Sequence, residues 1–223
     1  LFEFEFLVVV VGFLAGMTAS VAGFGIGSFL IPIISVRTGT KVAIALVALP
    51  HFFGTGARFW LLKAKINRQI LLRFGLLSAA GGLAGALLHV FFVSGLLQII
   101  FAVMLILAGF LGVLQVSERI RVGKNSASIV GLASGFFGGL AGEQGGIRSV
   151  ALLNFDIEKE TFIATATATG LIVDAVRMPI YFLTQPSLVV QFLSILILST
   201  LTVIAGTSAG NIVLKRMPEK SFK

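Results

Sequence analysis

Read for the spacing of apolar and polar positions, the chain is a series of long apolar runs separated by short polar links. The first run covers residues 4–36 and is interrupted at Gly23-Phe24-Gly25-Ile26-Gly27, with Pro32 following. The second, 40–62, carries Pro50 near its middle, where a kink is expected, and Lys63, Lys65 and Arg68 close it. A third helix is predicted over 70–92, with the small-residue stretch AAGGLAGA at 79–86 suited to close helix packing. Ser94-Gly95 leads into a fourth, 95–116, the most lipid-like of the set. After the basic loop Glu118 to Lys124 come a second broken segment at 127–154 and a sixth helix at about 159–183. Gln185-Pro186 then makes a turn before a seventh helix at 187–214.

The two broken segments are related. Gly131 to Arg148 reads GLASGFFGGLAGEQGGIR, with glycines at 131, 135, 138, 139, 142, 145 and 146 where a spanning helix would rather have leucine. Helical structure should stop around Gly142 to Gly146. A shift of 119 residues without a gap places Gly12, Gly16, Gly23 and Gly27 on Gly131, Gly135, Gly142 and Gly146, and Arg58 on Arg177. The third and seventh helices align with six extra residues in the latter, pairing Gly81 and Gly85 with Gly206 and Gly210. The chain therefore divides into a first repeat at 1–116, a basic connector at 117–126 and an incomplete second repeat at 127–223. In that register Leu214 to Lys223 correspond to His89 to Gln98, where the fourth helix starts, so an eighth helix is expected beyond residue 223.

Composition fixes the solvent. The 223 residues are 57% apolar and 12% charged, with a mean hydropathy of +1.06. A soluble domain carries about twice that charged fraction. The expected fold class is an all-α polytopic membrane protein, built as two inverted repeats, each a glycine-broken re-entrant segment plus transmembrane helices. The formal charge of +8 is no sign of nucleic-acid binding, because most basic residues sit in short loops where topology accounts for them. Cysteine is absent, which excludes disulfides and thiolate metal sites. Glu3 and Glu5 follow Leu1 closely, unlike a signal-peptide n-region, and a trimmed start is expected.

Lys and Arg positions choose between two topologies. If the broken segments dip in and return to the same face, Lys63, Lys65, Arg68, Arg73, Arg119, Arg121, Lys124, Lys159, Lys215, Arg216, Lys220 and Lys223 share one side. Only Arg37 and Lys41 oppose them, and twelve against two is the asymmetry that membrane insertion favours. Each repeat then holds one re-entrant element and three spans, an odd number of crossings, so the second repeat is inverted.

Two glycine-broken segments in matching halves point to a transporter binding site. A helix that starts inside the membrane exposes N–H groups, and its positive end suits an anion. The candidate substrate-binding set is Gly25, Gly27, Gly145 and Gly146 through their backbone, with Glu143, Gln144, Arg58 and Arg177. Arg58 and Arg177 either gather an anion, one toward each face, or snorkel to the headgroups. Glu143, Gln144 and Arg148 break the repeat, standing where Phe24, Gly25 and Phe29 stand in the first half. Glu143 is a candidate proton-coupling group; a salt bridge to Arg148 or Arg177 that holds the loop is the alternative. Arg148, Asp174 and His51 complete the coupling or gating candidates, with Asp174 expected to pair with Arg177 one turn on. Thr165, Thr167 and Thr169 either line a polar path or bond their own backbone. His89, Trp60 and Tyr181, all near helix ends, read as interfacial. No catalytic constellation, metal-ligand spacing or cofactor fingerprint is present, so no enzyme activity, metal or cofactor is expected.

The runs GMTASVAGFGIGSFLIP (16–32) and GFFGGLAGEQGGIRSVALL (135–153), each followed by an Ala/Thr-rich helix, resemble the TauE/SafE sulfite exporter family over nearly the whole chain. The resemblance implies a bacterial inner-membrane transporter of seven or eight helices. It also implies export of small sulfur-containing anions such as sulfite, sulfoacetate or other organosulfonates. Glu143 and Gln144 interrupt the family's glycine run. The expected partners are a small anionic substrate and the lipid bilayer, with no nucleic acid. The residues leave a passive anion channel, or a cation or metal carrier using Glu143 and Asp174, as the other readings.

Overall fold

The computed structural model describes residues 2–113, 124–153, 155 and 157–217, and every regular element among them is helical. The helices are α1 (Phe2–Ala22), α2 (Ile26–Thr38), α3 (Thr40–Leu62), α4 (Arg68–His89, with a π-turn at Leu71–Gly75) and α5 (Ser94–Val113). They continue as α6 (Lys124–Ala141), α7 (Gly145–Leu153), α8 (Lys159–Thr184), α9 (Pro186–Gln191) and α10 (Leu193–Arg216). Both predicted breaks are present, at 23–25 and 142–144. The predicted seventh helix begins later than 187, because Phe192 separates the short α9 from α10. The basic loop around Arg119 and Arg121, and the tail with Lys220 and Lys223, lie outside the described residues.

Among the described residues, five helices are long and apolar enough to cross a membrane. Burial runs opposite to that of a soluble domain. Phe6, Leu72, Leu76, Ile99, Ile106 and Phe110 are exposed, while Arg58, Glu143, Arg148, Asp174 and Arg177 are buried. Apolar side chains outside and charges inside is the arrangement lipid requires. The protein is an all-α, multi-pass membrane protein.

Each broken helix folds back as a hairpin. Arg37, at the end of α2, lies over the ring of Phe4, at the start of α1, 4.0 Å from its centroid. At that same end of the bundle the Lys41 Nζ donates to the carbonyl of Val90 at 2.7 Å. The opposite end gathers Lys65 with Glu160 at 3.3 Å, the Asn67 N–H on Thr165 Oγ1 at 3.0 Å, and Lys159 on the carbonyl of Met217. The α6–α7 hairpin returns to this second end, and the two tips meet inside. From its break α2 rises about 20 Å and α7 about 14 Å, at 1.5 Å per residue.

Glycine decides how the hairpins are held. Helix α1 runs parallel to α10, with Gly206 against the carbonyl of Phe13, Gly210 against that of Met17 and Gly16 against that of Val203. Helix α6 runs parallel to α4 in the same register, with Gly81 on Leu132, Gly85 on Phe136 and Gly135 on Ser78. The second set of contacts is the first, moved by the 119-residue offset and the six additional residues of the seventh helix. Hydroxyls reinforce both seams: Ser20 donates to the carbonyl of Thr207, and Ser78 to that of Gly131, each at 2.9 Å. Counterparts α3 and α8 lie against each other antiparallel, with His51 beside Asp174 and Thr55 beside Gly170.

Any Cβ at Gly135 or Gly206 would overlap a backbone carbonyl of the facing helix, whereas Gly109 has nothing within 4 Å. Overpacking of this kind costs about 1–3 kcal/mol. Gly135→Val and Gly206→Val should each lower the melting temperature in detergent by several degrees or prevent folding, while Gly109→Val should leave it unchanged, as a thermal-shift series would read.

Candidate functional site

The breaks exist because glycine can hold a left-handed backbone that other residues resist: φ is 84° at Gly23, 131° at Gly25 and 80° at Gly142. Where each first half-helix ends, its last carbonyls need donors. Arg58 from α3 donates through Nη1 to the carbonyl of Ala19, and Arg177 from α8 donates through Nη1 to that of Gly138 at 2.5 Å. Donors and acceptors both correspond under the 119-residue offset. Each cation also faces the negative end of a helix dipole. Both arginines are buried, at 2% and 1% exposure, so they do not snorkel.

The two second half-helices start differently. Glu143 accepts from the Gly145 N–H through Oε1 at 2.8 Å, and from the Ser28 hydroxyl through Oε2 at 2.5 Å. Its carboxylate thus caps α7 and ties that tip to α2, rather than forming a salt bridge with Arg148 or Arg177. Helix α2 begins at Gly25 with no side-chain cap. The tips are in contact: a methyl group on Gly27 would come within 2.8 Å of the Gly142 oxygen, and Gly145 packs against the side chain of Phe24. Gly146 faces Ala108 of α5 instead.

Charge is unevenly shared around this meeting point. Arg148 Nη2 and Arg58 Nη2 both point to the carbonyl of Gly23, at 3.3 and 3.5 Å. Among the described residues neither guanidinium has a carboxylate within salt-bridge distance, and Arg58 Nε, Arg148 Nε and Arg148 Nη1 have no hydrogen-bond partner. Arg177, by contrast, places Nε and Nη2 on Asp174 Oδ1 at 2.9 and 2.8 Å, as its spacing predicts. Asp174 Oδ2 receives His51 Nδ1 at 2.6 Å. The difference traces to one position, since the counterpart of Asp174 in α3 is Thr55. Arg148 lies within electrostatic range of Asp174, Glu143 and Arg177. Counted formally among the described residues, with His51 neutral, the three arginines and two carboxylates leave one positive charge in excess around this point.

The structure thus brings Gly25, Gly27, Arg58, Glu143, Gly145 and Arg148 to one place, with Asp174, Arg177 and His51 alongside. Gln144 is buried against Gly138, and both its amide atoms lack partners. Of the threonines, Thr169 bonds its own backbone at Thr165, and Thr165 accepts from Asn67. Thr167 is buried with its hydroxyl unpartnered. Sequence reasoning missed Ser28, the shared Gly23 carbonyl and Thr55; of these only Thr55 was findable, by carrying Asp174 back through the offset. Two interfacial assignments need correction. Tyr181 is fully buried and donates to the carbonyl of Gly139, and His89 is buried with Nδ1 donating to that of Leu140 at 2.8 Å. Both lie near helix ends but are covered by α6, so nearness to an end did not mean nearness to the bilayer surface. Trp60 is 69% exposed with Lys63 over its ring, as an interface aromatic should be.

Comparison with known proteins agrees with the architecture. The family model described as Sulfite exporter TauE/SafE matches residues 8–223. No match was found among curated proteins, and none among solved structures. The match takes in both broken segments, both capping arginines and both glycine seams, and the chain belongs to the TauE/SafE sulfite exporter family.

Proposed function

We propose that the chain exports a small sulfur-containing anion, sulfite, sulfoacetate or a related organosulfonate, across the bacterial inner membrane by alternating access, with the anion held where the two hairpin tips meet. One observation carries the reading: two buried guanidinium groups share the Gly23 carbonyl and, among the described residues, have no carboxylate of their own. An uncompensated buried charge costs several kcal/mol, which an arriving anion offsets. Guanidinium forks match the oxygens of a sulfite or sulfonate group, and the uncapped start of α2 adds N–H groups and a favourable dipole. Gln144 supplies a further donor. Arg177 is satisfied by Asp174 and by the Gly138 carbonyl, so it serves the frame of the site more than the anion.

The two halves act as inverted repeats in this reading, with their re-entrant hairpins entering from opposite faces. Small glycine contacts at the tips let one half rock against the other. An inside-negative potential supplies about 2.3 kcal/mol per charge per 100 mV for outward anion movement, so export needs no coupled ion in principle. The cation-carrier reading gains no support, because Glu143 is engaged by Ser28 and Gly145, and Asp174 by His51 and Arg177.

Hydrogen bonds to charged groups contribute about 1.5–3 kcal/mol, roughly ten- to over a hundredfold in affinity. Arg148→Ala should therefore reduce saturable sulfonate flux in proteoliposomes at least about tenfold at sub-saturating substrate, with the melting temperature of the purified protein little changed. Arg148→Lys should recover part of the flux, a point charge replacing a fork. Unaltered flux in Arg148→Ala would sink the proposed site. Arg177→Ala should behave differently: it leaves the buried Asp174 with His51 but without its guanidinium, at a cost of up to about 3–5 kcal/mol, so its main signature is a lower melting temperature.

A further inference from the structure

We propose that His51 and Asp174 form a proton site whose occupancy is coupled to that of the anion, an inference that rests on the anion site described above. His51 sits midway along α3, and its Nδ1 meets Asp174 Oδ2 of α8 at 2.6 Å, joining the two counterpart helices. The Asp174 and Arg177 side chains are 0% and 2% exposed, whereas His51 keeps 9%, so the imidazole is the least enclosed member of the group.

The repeat itself shows that this pair is not needed to build the fold. The counterpart of His51 is Gly170, and that of Asp174 is Thr55. Two separate departures from the repeat meet in one hydrogen bond. Arg58, without any such pair, still caps its half-helix as Arg177 does.

The groups facing His51 define what a proton there would do. From α8 come Asp174 and Arg177; from α3 itself come Thr55, whose hydroxyl is 3.4 Å from Nδ1, and Arg58 one turn further. Helix α7 contributes Arg148, whose Nη1 lies over Gly170: a methyl there would come within 2.9 Å of Nη1 and 3.7 Å of the Thr55 methyl. Glu143 is within electrostatic range of Arg148. Helices α2 and α10 also pack on α3 but carry their charges, Arg37, Lys215 and Arg216, at their ends, and α5 carries none among its described residues.

With Nδ1–H donated to Asp174, a proton taken up at Nε2 makes an imidazolium next to Thr55, which shares the Gly170 face with Arg148. In an empty site that adds like charge next to like charge. With an anion between Arg58 and Arg148 the same charge is attractive. Proton and anion therefore bind together, and anion affinity falls as pH rises. Imidazole is the side chain whose charge ordinarily changes between about pH 5 and 8.

The test measures binding of methanesulfonate to the full chain in detergent, by calorimetry, at about pH 5.5 and about pH 8.5. Methanesulfonate keeps one charge across this range, whereas sulfite itself takes up a proton near neutrality. The unmodified protein should bind about tenfold more weakly at the higher pH, within the usual range of coupling between two sites. His51→Gln should bind at both pH values with nearly equal affinity. A second measurement needs no variant: heats of binding in two buffers of different ionisation enthalpy should report proton uptake with the anion. Binding without pH dependence or proton uptake overturns the coupling and leaves the anion site standing. PH dependence that survives in His51→Gln moves the proton to Glu143 and also overturns it. Absence of binding at either pH overturns both proposals.

Discussion

A helix that stops inside an apolar interior needs donors for its last carbonyls, and the fold depends on supplying them twice. Unpaired, each such group costs several kcal/mol in hydrocarbon. Arg58 and Arg177 add to the backbone donors there from the neighbouring helix of their own half, bonding the carbonyls of Ala19 and Gly138. Positive-φ glycines let the chain turn at the break, and the N–H groups of Gly23 and Gly142 bond the carbonyls of Ala19 and Gly138 at 2.9 and 3.1 Å. The arginines give each of these carbonyls a second donor at the negative end of a helix dipole, which explains how two charges are kept within spanning helices.

The glycine seams bear on the same problem from outside. Each broken helix leans on the small-residue helix of the opposite half, α1 on α10 and α6 on α4, with Gly16, Gly206, Gly210, Gly81, Gly85 and Gly135 facing backbone carbonyls. Lipid gives apolar side chains no reason to prefer one another, so close backbone approach and dispersion carry the association. The halves are interlocked, and the tips are pressed together at Gly27, Gly142 and Gly145.

Chemistry enters where the halves differ. Three substitutions relative to the repeat, Asp174 for Thr55, Arg148 for Phe29 and Glu143 for Phe24, redistribute charge around one junction. Asp174 neutralises Arg177, and Glu143 fills the anion position at the start of α7. Arg148 instead joins Arg58 at the Gly23 carbonyl, where no carboxylate among the described residues follows it. One junction thus holds a satisfied side and a cation-rich side.

By itself the sequence determined the class of fold, the positions of the breaks, the internal repeat and the pairing of Asp174 with Arg177. Each of these is a matter of composition or of spacing along one chain: apolar length sets the spans, glycine sets the breaks, and three residues make a helical turn. Lysine and arginine positions likewise placed Lys65, Lys159 and Arg37 at the ends where they are found. Tertiary structure alone decided which polar atoms are satisfied. That Glu143 binds Ser28, that Tyr181 and His89 are covered by α6, and that two arginines meet at Gly23 all depend on helices distant in sequence. A side chain's partners inside a membrane are set by the facing helix, and no periodicity within its own helix records which helix that is.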